Sequence, residues 1–382
     1  MRGPELPGAQ LSFYPPPAQP DELLYWLWLA HTLGPASAHA GRVMDWCGGD
    51  ARYAWEERET AAFREAAGPA AARRARQPGS SPEAFAPVAA RCRALGVRVL
   101  PYDSPDYPLA LTRIPDMPLV LYCTGDAAWL NAPALVGMVG SRRPDDYGRW
   151  AASAVGRGLA RSGAVIVSGL ADGLDSECHR AAVDEDAPTI GVQGVPIDRT
   201  YPATNQLLRE KVEANGCVIG EYAPGDDSAG RNGFLQRNRL IAGLSQALVV
   251  VQARERSGTM STVAHAERYG RPVYALPGDA ARENSAGTNR LIQAGRAKLI
   301  LGAEDMLDDL GLAAARPAPA AAAPPLSEEE RRTLACLGHE PKSIEEASAG
   351  CGIPAAALAA VLMRLELAGR VKALPGQRYI LL

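Results

Sequence analysis

Lysine is nearly missing from this 382-residue chain: Lys211, Lys298, Lys342 and Lys372 are the four among 40 basic residues. The resulting arginine bias, beside 31 prolines, tracks codon composition, so arginine number alone says little about nucleic acid. An excess of either charge is also missing. The 40 basic and 43 acidic residues leave a net charge of −3, which excludes a globally basic polyanion binder and leaves room for a local basic groove. Aromatics are sparse at 6%, while 47% hydrophobic and 22% charged residues are ordinary for a globular protein. No run approaches the ~20 apolar residues that cross a bilayer, so no membrane partner is expected. Residues 1–20 lack the basic-then-apolar pattern of a signal peptide. Cys47, Cys92, Cys123, Cys178, Cys217, Cys336 and Cys351 are scattered without a Cys-x-x-Cys, which points to reduced thiols and a cytoplasmic setting. The five histidines form no H-E-x-x-H and no zinc spacing, so neither a structural metal nor a cofactor is expected.

What is present divides into segments. Residues 1–20 read as a disordered leader. Residues 21–67 are helical in pattern, a small module similar to sterile-alpha-motif or helix-hairpin-helix domains. Asp21 is placed as N-cap, Leu33-Gly34-Pro35 as a break, and Ala36 to Val43 as a second helix. Residues 68–81 read as a linker. Within 82–310, continuous apolar runs at 135–139, 164–167, 189–192, 217–220, 247–251, 273–276 and 298–301 alternate with helical patterns. Such alternation means a parallel sheet covered on both faces, an α/β Rossmann-like doubly wound domain. Its ligands belong at the carboxyl ends of the strands. Residues 311–325 read as a Pro/Ala linker. Residues 326–382 give three helices, two with capping boxes (Ser327 with Glu330, Ser343 with Glu346), and a closing β-pair, the pattern of a winged helix.

The stretches that carry chemistry all follow a strand. Gly140-Ser141-Arg142 offers backbone N–H groups, a hydroxyl and a planar guanidinium to an anion. Ser168-Gly169 opens a second turn. It leads to Asp175, read as a helix cap, and His179, whose pairing with Asp175 is half of a catalytic dyad or a structural hydrogen bond. Arg237-Asn238-Arg239 at a helix start suits a phosphate backbone, against a surface ion-pair network with Glu221 or Glu255. Gly258 and Thr259, after Ser257, supply donors at a helix N-terminus. Four such cradles on one rim exceed the needs of a mononucleotide and suit successive phosphates of a strand. No magnesium carboxylate cluster and no nucleophile–base pair accompanies them. In the last segment the expected recognition helix, 354–369, is mostly alanine and leucine with Arg364 and Glu366, which favours protein contact over duplex DNA.

At these residues the chain resembles the DNA-processing protein A family (DprA/Smf). The likeness is carried by VGMVGSRRPDDYG (136–148), VSGLADGLDSECHRAA (167–182), VPIDRTYPATNQLL (195–208) and the long stretch from Phe234 to Asp279. It covers nearly all of residues 100–305. The resemblance implies a non-enzymatic single-stranded-DNA binder that protects incoming strands during natural transformation and loads the RecA recombinase onto them. It further implies a homodimer that works with single-stranded-DNA-binding protein. The strand's phosphates are expected at Gly140, Ser141, Arg142, Ser168, Gly169, Arg237, Asn238, Arg239, Gly258 and Thr259. Arg199 stands in for a lysine usual beside the Tyr201-Pro202-Ala203-Thr204-Asn205 turn. Phe234-Leu235-Gln236 replaces a usual Phe-Pro, Gln252 a usual glutamate and Gly220 a usual serine. A second resemblance, through Ser257-Gly258-Thr259 and Glu267, is to nucleotide-processing enzymes of the lysine-decarboxylase-like phosphoribohydrolase group.

Overall fold

A computed structural model of the chain describes residues 20–230, 232–312, 326–338, 341–367, 370–374 and 377–381. The expected leader, apart from Pro20, and nearly all of the expected Pro/Ala linker lie outside the described residues. Two strands the apolar runs did not mark, β1 (Arg98–Pro101) and β2 (Val120–Gly125), precede the seven that they did: β3 (Leu135–Val139), β4 (Val165–Ser168), β5 (Thr189–Val192), β6 (Cys217–Gly220), β7 (Ala247–Val250), β8 (Val273–Ala275) and β9 (Lys298–Leu299), the last only two residues long and exposed. They join in one nine-stranded sheet of order β1-β2-β6-β5-β4-β3-β7-β8-β9. The pairs β3/β4, β4/β5, β3/β7, β7/β8 and β8/β9 are parallel. The β1/β2 pair is antiparallel, with Arg98 opposite Cys123. Every residue of β3 to β7 is buried, which is why these strands read as continuous apolar runs. The strand order reverses between β3 and β7, and the crevice outside their carboxyl ends is the switch point of a doubly wound sheet.

By contacts the chain forms two compact units. The first holds the described residues up to Asn131, with 194–199 and 219–236. Its helices are Pro20–Leu33, Ala40–Cys47, Ala51–Glu56 and Ala61–Ala75. Trp28 is fully buried, edge-on to Trp55 at 5.0 Å and stacked on Phe63 at 6.3 Å. Three expectations are corrected here. Asp21 lies inside the first helix, which starts one residue earlier. The second helix begins later than Ala36, because Ala36 has a left-handed φ of 54° that no helix start tolerates. The expected linker begins as helix: Gly68, at φ 81°, kinks the chain, and the good helix formers of 70–75 continue past Pro69. Arg74 in that segment donates to the carbonyls of Thr32 (2.7 Å) and Leu33 (3.0 Å) at the end of the first helix.

The second unit holds Ala132–Gln193, Thr200–Val218 and the described residues from Arg237 onward. Its sheet core joins Val136, Met138, Ile166, Val249 and Tyr274 to Ala152, Val155 and Leu159 of the helix Asp146–Arg161. The C-terminal segment folds as expected into helices Glu328–Cys336, Ile344–Cys351 and Ala355–Leu367. Both capping boxes are formed. Strands β10 (Lys342–Ser343), β11 (Val371–Leu374) and β12 (Arg378–Leu381) make an antiparallel sheet in the order β10-β12-β11. Ala347, Leu358, Val361, Leu362 and Val371 fill its core, giving a winged-helix domain. No single helix among the described residues is long and apolar enough to cross a membrane.

Candidate nucleic-acid interface

The turn after β3 lies at the switch point. Ser141 N–H donates to the Gln252 carbonyl (2.8 Å), which ties the turn to the residue chain leaving β7, and Leu174 N–H donates to the Ser141 carbonyl (3.0 Å). Gly140 has no room for a side chain: a Cβ there would run into Leu174 and sit 3.1 Å from the Gln252 carbonyl oxygen. The Ser141 hydroxyl accepts from Arg143 N–H at 3.1 Å, so its own proton remains available. Arg142 and Arg143 are both exposed.

The other three turns close around this one. Thr259 Oγ1 donates to the Gly140 carbonyl at 3.1 Å, and Asn238 Nδ2 donates to the Gly258 carbonyl at 3.4 Å. Gly258 is exposed, directly before the ten-residue helix Thr259–Arg268. Gly173 presses on the carbonyl of Ser141 and the backbone of Arg142 so closely that a Cβ would clash with both. The four stretches singled out in the sequence thus form one interlocked cluster within the second unit.

Their individual roles differ from expectation, and Arg237, Arg239, Ser168, Gly169 and Asp175 are each corrected. Arg237 and Arg239 are 4% and 1% exposed, so neither presents its guanidinium to solvent. Arg237 Nη1 donates to the Val192 carbonyl, and its guanidinium flanks Gly169 together with the Asp175 carboxylate; a Cβ on Gly169 would collide with both. Burial lowers the Arg237 pKa to about 10 while Asp175 pulls it back up. Burial likewise pushes the Asp175 carboxyl above the usual range, opposed by Arg237 and Arg142. Ser168 is fully buried, with its hydroxyl donating to the Met138 carbonyl at 2.6 Å, and Gly169 is buried too. Asp175 does not cap its helix. The helix Leu174–Val183 starts from Gly173, at φ 82°, and Asp175 turns inward.

His179 is buried and bonds away from Asp175. Its Nδ1 is 2.8 Å from Thr189 Oγ1, which itself donates to the Ile166 carbonyl at 2.8 Å. The hydroxyl therefore accepts, and we assign the His179 proton to Nδ1. Burial drives its pKa down to about 3, a neutral structural histidine. Among the described residues no group of three or more His, Cys, Asp and Glu is placed to hold a metal ion. Glu267 forms a two-pronged ion pair with Arg296, both contacts at 2.8 Å. Glu255 pairs with Arg290 at 3.6 Å rather than with the 237–239 stretch. Arg199 lies in the first unit, exposed, and meets Asp227 Oδ1 at 2.5 Å and Oδ2 at 3.4 Å.

Two exposed arginines escaped the sequence reading. Arg143 follows Arg142, and Arg256 stands two residues before Gly258; neither is in an ion pair among the described residues. The doublet Arg142-Arg143 and the run Arg254-Glu255-Arg256 carried the signal. Gln252 explains one departure from the family pattern. Its amide donates to Asp145 Oδ1 (2.9 Å) and accepts from Asp145 N–H (3.4 Å), while the same Oδ1 caps the next helix through Gly148 N–H (2.9 Å). A glutamate there would face that carboxylate with like charge.

Comparison with known proteins agrees with this arrangement. Residues 98–311 match the family described as DNA recombination-mediator protein A, and residues 317–377 match the DprA winged helix domain. DNA processing protein DprA of Bacillus subtilis is 36% identical over 223 residues, 58% of this chain and 74% of that protein. The X-ray structure of DNA processing protein A from Streptococcus pneumoniae superposes with a TM-score of 0.63 at 29% identity, covering 75% of this chain and 97% of that one. DNA processing protein A from Helicobacter pylori, described with its single-stranded DNA binding mode, gives 0.51 at 33% identity over 56% of this chain and 95% of that one. By the family match over residues 98–311 and these relatives, the chain belongs to the DNA recombination-mediator protein A (DprA/Smf) family.

Proposed function

We propose that this protein binds single-stranded DNA along the lip at the carboxyl ends of β3 and β7, and that it does so as a mediator, without catalysing a reaction. The observation that carries this reading is the interlocking of four turns into one surface edged by the exposed guanidiniums of Arg142, Arg143 and Arg256. Phosphates meet the backbone of Gly140 and Gly258, the Ser141 hydroxyl and those three arginines, while Thr259, expected as a contact, is buried with its hydroxyl donating to the Gly140 carbonyl and ties two of the turns together. Ser168, Gly169, Arg237 and Arg239 shape the lip from within. The Helicobacter pylori relative, described with its single-stranded DNA binding mode, supports the choice of ligand. In this reading the protein is a homodimer that shields incoming strands during natural transformation. It works beside single-stranded-DNA-binding protein and hands the strand to RecA in the cytoplasm.

Against the enzymatic alternative, its candidate carboxylate Glu267 is engaged in an ion pair with Arg296. Binding is tested by fluorescence anisotropy with oligo-dT across a salt series. Log affinity against log salt falls with a slope of about −0.7 per neutralised phosphate. A salt-independent affinity sinks the phosphate reading. Mediation is tested by RecA strand exchange on strands precoated with single-stranded-DNA-binding protein, where adding the chain should relieve the block.

A further inference from the structure

We propose that Tyr201 is a stacking platform for an unpaired nucleobase of the strand whose phosphates lie on the lip. This rests on the reading of the lip as a phosphate-binding edge. Aromatic rings are few in this chain, and most of the described ones are buried or half-buried. Among the described residues Tyr53, Trp129 and Tyr201 are the exposed tyrosines and tryptophans, and Tyr201 is the most open at 54%, against 42% for Tyr53 and 36% for Trp129. A single exposed apolar side chain needs no explanation; the place of this one does.

The turn that carries Tyr201 is bonded tightly to the loop that braces the lip. Asn205 Nδ2 donates to the Leu170 carbonyl and to Ser176 Oγ, both at 2.9 Å, and Thr204 Oγ1 donates to Asp172 Oδ1 at 3.3 Å. On its other side the same loop presses Gly173 against Ser141 and Arg142. The 170–173 loop is thus shared by the tyrosine turn and the arginine turn. Preceding the ring, Thr200 Oγ1 donates to Gln206 Oε1 at 2.5 Å. The buried Arg209 backs this residue, with Nη1 3.5 Å from Thr200 Oγ1 and 3.3 Å from Gln193 Oε1. Leu207, 74% exposed at the start of the helix Gln206–Asn215, adds a second apolar side chain to the same turn.

The backbone of the turn is fixed by these bonds, so a base that stacks on the exposed part of the ring orders a side chain and not a loop. Every nucleobase has a π face, and stacking on an aromatic side chain is tolerant of sequence. A base within a duplex is already stacked on its neighbours, so the platform favours strands whose bases are free. The phosphates of such a strand sit on the arginine side of the shared loop and a base on the tyrosine side.

The test compares Tyr201→Ala, Tyr201→Phe, Tyr201→Trp and Arg142→Ala by anisotropy with oligo-dT and with a strand of abasic sites of equal length. Circular dichroism verifies folding. Tyr201→Ala should lower oligo-dT affinity roughly tenfold with the salt slope unchanged, while Phe and Trp retain it. On the abasic strand, wild type and Tyr201→Ala should bind alike. The inference is overturned if Tyr201→Ala binds oligo-dT like wild type while Arg142→Ala has lost affinity, a result that leaves the phosphate lip standing. It is also overturned if Tyr201→Ala is as impaired on the abasic strand as on oligo-dT. If wild type and all variants bind both strands equally, the phosphate lip itself fails.

Discussion

Arg142 and Arg237 are both arginines next to Asp175, and they should fail in opposite ways. Arg142 is exposed, so Arg142→Ala should cost ~1–3 kcal/mol of oligo-dT binding, the range of a charge-assisted contact, with a much smaller loss of stability than Arg237→Ala. Arg237 is buried and bonded to Val192. Arg237→Ala leaves Asp175 enclosed without its neighbour and should cost about 3–5 kcal/mol of stability, read by urea denaturation. Equal stability of the two variants would contradict the placement. His179 gives a pH signature. Its folded pKa of about 3 lies below the unfolded value near 6.5, so below pH 6.5 the unfolded chain binds the extra proton. Stability from this residue is therefore complete above pH 6.5 and declines as pH falls toward 3, by up to ~1.4 kcal/mol per pH unit. Thermal melts of wild type between pH 7.5 and 5 should show this slope, and His179→Gln should flatten it. The sequence showed that these residues cluster in function-bearing turns. It could not show which guanidinium faces inward, because that depends on Gly169 leaving space for one.

At the scale of elements, strands β3 to β8 were legible because each is buried on both faces and reads as an uninterrupted apolar run, whereas β9 is exposed and shorter than its run. The β1/β2 pair was not, since Arg98 and Thr124 break the pattern and the pair is fixed by partners distant in sequence. The helix Ala61–Ala75 was cut at Gly68 because glycine and proline together mark a boundary in most chains. Here Pro69 opens a second helical run whose Arg74 serves the end of another helix. Arg74→Ala should release the carbonyls of Thr32 and Leu33 and cost about 1.5–3 kcal/mol, as charged hydrogen bonds do. The readout is the midpoint of urea unfolding followed by tryptophan fluorescence, since Trp28 lies on the capped helix.

For the whole molecule, the expectation is that the winged helix acts separately from the lip. Its helix Ala355–Leu367 offers Arg364, but that guanidinium meets Glu330 at 3.4 Å, and Met363 is 66% exposed. This face suits a protein partner better than a duplex groove. Removal of residues 326–382 should leave oligo-dT affinity within about twofold, because the proposed phosphate contacts, Arg142, Arg143 and Arg256, lie outside it. A loss beyond that by electrophoretic mobility shift would place part of the strand on the winged helix. The charge on Arg237 has one last consequence. Ions in solution screen exposed guanidiniums within a Debye length of ~8 Å and hardly reach an enclosed one. Brine should therefore elute the protein from a DNA column in fully reusable form. On desalting it should rebind at once, with no refolding lag.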